Sequence, residues 1–290
     1  CIPIGSESVP LTDRELIALI GLLADDDSSI RERVTAQLIE AGPRALSVLC
    51  ATDCVGTHAE RVQVALGKVQ RVQVLTRLKV FGQEGPDASV EDGALLLAEL
   101  IHPSLDRAGT YEAIETLAEA APRSIGGKNR NIDLKTLATY MYEECGFDGN
   151  HTDYDNPANS LLDQVLARRV GLPISLAVVY LAVCARLHVP LEGVGLPFHF
   201  VLRLPGAGSQ AYLDPFNQAR LLNENDCRDL IQAHGYGITH DQFQAVSSQE
   251  ITARIARNLL LSYRKRGDAE DENLMRLAHK QIQPGTELAR

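Results

Sequence analysis

The chain has 290 residues, a mass of 31.6 kDa, a formal net charge of −10 and a pI near 5.3, with 45% hydrophobic and 23% charged residues. That length holds one large or two ordinary domains, each able to bury a core, and the composition is that of a globular protein. The acidic balance argues against a nucleic-acid or anionic-membrane partner, and no apolar run approaches the length of a membrane span.

Six cysteines stand at positions 1, 50, 54, 145, 184 and 227. No disulfide framework is expected at this size, and the usage fits a reducing cytoplasm. Cys50 and Cys54 have no second Cys or His pair near them in sequence, so neither a zinc site nor any other cofactor is expected. Cys1 reads either as a chain boundary, which is favoured, or as the lipidated first residue of a processed lipoprotein.

Residues 11 to about 85 read as amphipathic helices, an expected first domain over 1–85. Ile17, Leu19, Ile20, Leu22 and Leu23 fill one helix, and Asp25-Asp26-Asp27-Ser28 caps the next. Ile30, Val34 and Leu38 follow at i, i+4 and i+8. Gly42-Pro43 stops that helix, and Ala45, Leu46, Val48 and Leu49 open another. This stretch resembles one HEAT-type helical repeat, which implies a docking surface rather than chemistry. Val64, Leu66, Val69, Val72 and Leu75 extend it weakly, and Lys79 to Asp87 is the expected linker.

The expected second domain, 88–247, opens with helices over Val90–His102 and Leu105–Ala121, stopped by Pro103 and Pro122. Gly126 to Asn131 is a loop without the Gly-Lys-Ser/Thr ending of a phosphate cradle. Ile132 to Cys145 is another helix, closed by Gly146 in a left-handed cap. After Asn159 and Ser160, which read as an N-cap, Leu161, Leu162, Val165 and Leu166 recur at helical spacing. Val170-Gly171-Leu172 ends that run, and Pro173 suits the first position of a new helix. Ile174 to Leu187 is almost uncharged, so the new helix is expected to be buried nearly all round.

Past Pro190 the period changes. Leu191–Gly195, Phe198–Leu204 and Ala211–Asp214 read as strands, the last two paired across the Pro205–Gln210 turn. His199 opens one strand and Asp214 closes its antiparallel neighbour, which sets an imidazole beside a carboxylate near the start of the buried helix. Helices over Asn223–Ala233, Ser248–Arg266 and Ala269–Ile282 complete the chain, with 248–290 as an expected C-terminal segment.

The segments GFDGN (146–150), YDNPANSLLDQVLARRVGLPISLA (154–177), GVGLPFHFVLR (193–203) and YLDPF (212–216) together resemble the transglutaminase-like superfamily, a papain-like Cys-His-Asp architecture. Within it they are similar to a bacterial SirB-type branch, over roughly residues 88 to 290. The resemblance implies an α+β fold, with a buried helix on a small antiparallel sheet, an all-α domain before it and a tetratricopeptide-like tail after it. It also implies a cleft with Tyr154, Pro157, Asn159, Ser160, Arg169, Gly171, Pro173, Phe200, Pro215 and Phe216 as signature positions, and His199 with Asp214 as the polar pair.

Active members of that superfamily carry their nucleophile as Gly-x-Cys at the helix start, where this chain reads Gly171-Leu172-Pro173. A thiol there is activated by the helix dipole and a nearby imidazolium, and proline offers no substitute. Cys184 falls on the far face of the helix, about 13 Å along its axis, and reads as a core residue. The nearest nucleophile is Ser175.

Two functions follow. The preferred one is a catalytically degenerate module that binds a peptide or protein partner in the inherited cleft, with the N-terminal helices as a docking surface. The alternative is an acyl transferase or amidase/peptidase in which Ser175 attacks, His199 is the general base, Asp214 holds the imidazole tautomer and helix-start amides stabilise the oxyanion. Each residue also has a plain structural reading: a half-buried strand histidine, a turn-forming aspartate, and a serine bonded to backbone. No third ligand accompanies His199 and Asp214, so no metal is expected.

Overall fold

The computed structural model describes residues 11–85, 88–125, 134–206 and 211–286. Cys1, the Gly126–Asn131 loop and residues 207–210 of the Pro205–Gln210 turn lie outside the described residues. The chain divides into two compact units, one ending at Arg77 and the other beginning at Leu78.

The first unit is helical. Thr12 and Glu15 form a reciprocal capping box at the start of α1 (Asp13–Leu22), so two otherwise unsatisfied amides find partners. Asp27 caps α2 (Ser28–Ala41), and Gly42 at φ +65° makes the sharp turn that lets Pro43 open α3 (Pro43–Ala51). Leu16, Ile20, Leu23, Val34, Leu38, Ala45 and Leu49 form the core, completed by Val62, Ala65 and Val69 of α4 (Gly56–Gln83). Lys79–Gln83, expected as part of a linker, instead continues α4, because no strong breaker precedes Gly85-Pro86.

The second unit is α+β. It runs through α5 (Val90–Ile101), α6 (Arg107–Ala120) and α7 (Leu134–Thr139) into a wide helical turn in which the Cys145 amide reaches the Tyr140 carbonyl. Gly146 ends it at φ +76°, the left-handed cap expected there. Two-residue strands β1 (Asp148–Gly149) and β2 (Val170–Gly171) pair in parallel on either side of α8 (Leu162–Arg168). Pro173 occupies the first turn of α9 (Pro173–Arg186), which is buried without interruption from Pro173 to Tyr180. The antiparallel sheet has the order β3 (Glu192–Val194), β4 (Val201–Arg203), β5 (Tyr212–Asp214) and β6 (Arg220–Leu222). Beyond α10 (Glu224–Ala233), α11 (Ser248–Arg266) and α12 (Ala269–Ile282) pack on each other around Gly267 at φ +80°, and α11 also packs against α5 and α9.

His279 of α12 is 1% exposed, and its Nε2 has no hydrogen-bond partner among the described residues. Burial, helped by the positive field of Arg257, holds its pKa below the ordinary histidine value. The unfolded chain therefore binds the proton more readily, so this contribution to stability is present above about pH 6.5 and is lost as pH falls. Chemical denaturation should show less stability at pH 5.5 than at pH 6.5 from this residue, by at most about 1 kcal/mol. In His279→Leu that part of the slope should vanish; an unchanged slope would show that the folded chain accepts the proton freely.

Candidate functional site

The site is assembled where the start of α9 meets the sheet. His199 stands just before β4, which is shorter than the expected Phe198–Leu204 strand because Pro197 and Phe198 form a turn, with the His199 amide on the Leu196 carbonyl. The register pairs Leu202 with Leu213, which brings the chain at His199 alongside the end of β5. His199 Nε2 lies 2.8 Å from Asp214 Oδ2, with the side chains 12% and 2% exposed. A carboxylate accepts only, so Nε2 is the donor, and in the neutral imidazole Nδ1 is then the acceptor.

Asp214 is held by more than the imidazole. Its Oδ1 accepts the Phe216 and Asn217 amides at 3.1 and 3.3 Å, and its Oδ2 also accepts Asn217 Nδ2 at 2.7 Å. Burial alone would raise this carboxyl, but the His199 hydrogen bond and charge, with the Asn217 and Phe216 donors, outweigh it and hold it below the ordinary value. Pro215 is buried, and the Phe216 ring lies edge-on to His199 at 6.3 Å and to Tyr154 at 5.9 Å.

A cleft of about 840 Å³ opens beside His199, within the usual range for a ligand site. Tyr154, Leu172, Pro173, Ile174 and Phe200 line it from one side and Ile251, Arg254, Arg257 and Leu261 of α11 from the other. Pro173, at the Gly-x-Cys position, therefore faces the same cavity as His199. Phe198 lies at its mouth at φ +58°, a conformation that costs a bulky residue energy, with its ring 65% exposed against His234 and Tyr236.

Ser175 is oriented differently. Its hydroxyl donates to the Asn159 carbonyl at 2.5 Å and accepts the Leu172 amide at 2.9 Å, and the residue is buried and does not line the cleft. Gly171 is close-packed here, since a Cβ at that position would lie 2.8 Å from Ser175 Oγ. Asn159 and Ser160 do not cap α8, whose N-cap is Leu161, without a side-chain bond. Asn159 is instead a buried node that donates to the Asp153 and Tyr154 carbonyls and accepts from Asn150 and Arg168. Pro157 begins the short turn before it, and Arg169, at φ +60°, ends α8 with its guanidinium over the Phe147 ring.

The thiols stand apart from this chemistry. Burial raises Cys145 and pushes Cys184 and Cys227 up to about 12. Among the described residues no cysteine lines the cleft, and no group of three His, Cys, Asp or Glu side chains is placed to hold a metal ion. Sequence reasoning passed over Arg254 and Arg257. Their signal was available, because residues 254, 257, 258, 261 and 265 form one stripe at helical spacing on α11.

A model of the transglutaminase-like superfamily matches residues 109–257. Over 177 residues the chain is 36% identical to the UPF0162 protein of Xylella fastidiosa (strain 9a5c), a match covering 57% of this chain and 62% of that protein. It is 29% identical over 133 residues to Protein SirB1 of Salmonella typhimurium, covering 45% and 49% respectively. It is also 27% identical over 240 residues to F-box only protein 21 of Homo sapiens, covering 72% and 38%. The matched stretch is less than two thirds of the length of each of these three relatives. No solved structure matches the chain.

Proposed function

Because the chain belongs to the transglutaminase-like superfamily yet carries proline where that architecture places its thiol, we propose that it is a catalytically degenerate member that binds an extended peptide or protein segment in the inherited cleft. The observation that carries this reading is the position of Pro173, which faces the cleft occupied by His199 while Asp214 holds the imidazole behind it. A dyad without a nucleophile cannot form an acyl-enzyme, but it keeps a rigid, polar-floored groove with apolar walls. The helices of the first unit are read as a second docking surface, and the protein as cytoplasmic.

The competing serine mechanism needs a hydroxyl proton that His199 can accept, and Ser175 gives its proton to the Asn159 carbonyl. A fluorophosphonate probe should label the wild-type protein and Ser175→Ala equally. Labelling lost in Ser175→Ala would revive the enzyme.

Binding is tested by panning a random dodecapeptide display library on the purified protein and re-measuring the selected peptides on Leu261→Arg. Leu261 is 44% exposed on the cleft wall, so the substitution obstructs the groove without opening the core. Affinity should fall at least about tenfold, or about 1.4 kcal/mol. A library that yields no binder, or binders indifferent to the substitution, would overturn the proposal.

A further inference from the structure

The charges along the cleft do not cancel. Its two acids are already engaged: both Asp155 oxygens meet Lys265 Nζ, at 2.7 and 2.8 Å, and Glu250 is held by the Ser247 amide and hydroxyl at the start of α11. Arg254 has no such partner. Its Nη2 donates to the Leu196 and His199 carbonyls at 2.8 and 2.9 Å, which fixes the guanidinium beside the dyad, over the Phe200 ring at 5.7 Å. Arg257, one turn further along α11, also lines the cleft. Neither arginine forms a salt bridge among the described residues, in a chain of net charge −10. Burial, together with the field of Arg257, makes the Arg254 cation harder to keep, so a bound anion would relieve both.

We infer that the cleft selects peptides carrying a carboxylate, which Arg254 and Arg257 bind together while an adjoining apolar side chain rests on the Phe198 and Tyr236 rings. With its two Nη2 hydrogens given to carbonyls, Arg254 is held in place at low entropic cost and offers a carboxylate single N–H bonds from its remaining nitrogens, while Arg257 can supply the two parallel N–H bonds that match a carboxylate. Fixed aromatic surface at the mouth adds contact area at little entropic cost. The inference rests on the peptide-binding reading and adds a chemical class of ligand to it.

Fluorescence anisotropy tests it with the full chain and three fluorescein-labelled probes. The first is Gly-Phe-Glu-Leu-Glu-Phe-Gly-amide. The second replaces both Glu by Gln, and the third is that Gln peptide with a free C-terminal carboxylate. At low salt the Glu peptide should bind at least about tenfold more tightly than the Gln amide, and added salt should erode the preference. A gain over the Gln amide in the third probe alone, with none in the Glu peptide, would assign the site to a chain-terminal carboxylate, with the same arginine chemistry. The preference should shrink in Arg254→Gln and equally in Arg257→Gln, whose exposed side chain makes it the safer variant for folding. Equal affinity for all three probes would overturn this inference and leave peptide binding standing. Absence of binding by all three would overturn both.

Discussion

Replacing Pro173 with cysteine is expected to create a thiol whose alkylation midpoint lies about two pH units below that of an ordinary cysteine. The position is the first turn of α9 and faces the same cleft as His199, so the helix dipole and the imidazole would both favour the thiolate. Two units correspond to about 2.7 kcal/mol. The rate at pH 7 is a poor readout. A shift from about 8.5 to about 6.5 raises the thiolate fraction about 25-fold, but the lower basicity costs about six- to tenfold in nucleophilicity. The net gain is only about threefold, so the pH profile of iodoacetamide alkylation is the measurement to make, with exposed Cys50 as internal reference. Adding His199→Ala should return the midpoint upward by about one unit. A midpoint near 8.5 in both backgrounds would mean that His199 does not serve the start of α9, and the inherited-cleft reading would fall with it. The cost to folding should be small, because Pro173 makes its contribution mainly by restricting the unfolded chain.

Truncating Asp214 should be the most damaging single change at the site. Asp214→Ala strands four donors at once: His199 Nε2, the Phe216 and Asn217 amides and Asn217 Nδ2. Leaving a buried donor unpaired costs about 1–3 kcal/mol, and breaking a buried charged pair about 3–5 kcal/mol. Since whole domains are stable by only about 5–15 kcal/mol, a loss of about 4 kcal/mol is a large fraction. Thermal unfolding should shift down by about 10 °C. Asp214→Asn should cost about 1–2 kcal/mol, because its carbonyl can still accept the two backbone amides while its NH₂ group turns toward His199 and toward Asn217, whose amide must rotate to present its oxygen. That NH₂ donates, so His199 must accept through Nε2 and move its proton to Nδ1. Nitrogen-15 shifts of the imidazole would report the exchanged tautomer. A melting temperature unmoved by Asp214→Ala would show that water replaces the carboxylate and that the network has no structural role. The stability held by the depressed Asp214 carboxyl should be present above about pH 3.8 and disappear as pH falls through its lower folded-state value.

Much of the second unit was legible before any coordinates. Ser248–Arg266 and Ala269–Ile282 begin and end where their caps and Gly267 put them, since a helix boundary is a local matter of unsatisfied amides and one left-handed residue. The same holds for Pro173 at the start of α9, and the joining of His199 to Asp214 followed from one hairpin with the intervening turn as its only constraint. The linked signature segments sufficed for the superfamily and, through that resemblance, for the α+β class.

Other features needed the folded chain. The parallel pair β1–β2 and the edge strand β6 are two and three residues long, too short to carry a period. Asn159 read as a helix cap because its type favours that role, yet its bonds reach Asn150 and Arg168, nine residues away on either side, and those partners decide its place. Ser175 read on paper either as a nucleophile or as a serine bonded to backbone, and where the Asn159 carbonyl lies makes it the latter. Arg254 of α11 meets the dyad across more than fifty residues of chain, its separations from the His199 and Leu196 carbonyls being 55 and 58. Helix ends, turns and a hairpin pair are decided by neighbours along the chain, so the sequence alone determined them. The orientation of buried polar groups and the charge of the cleft are decided by packing between distant elements, and only the tertiary structure could set them.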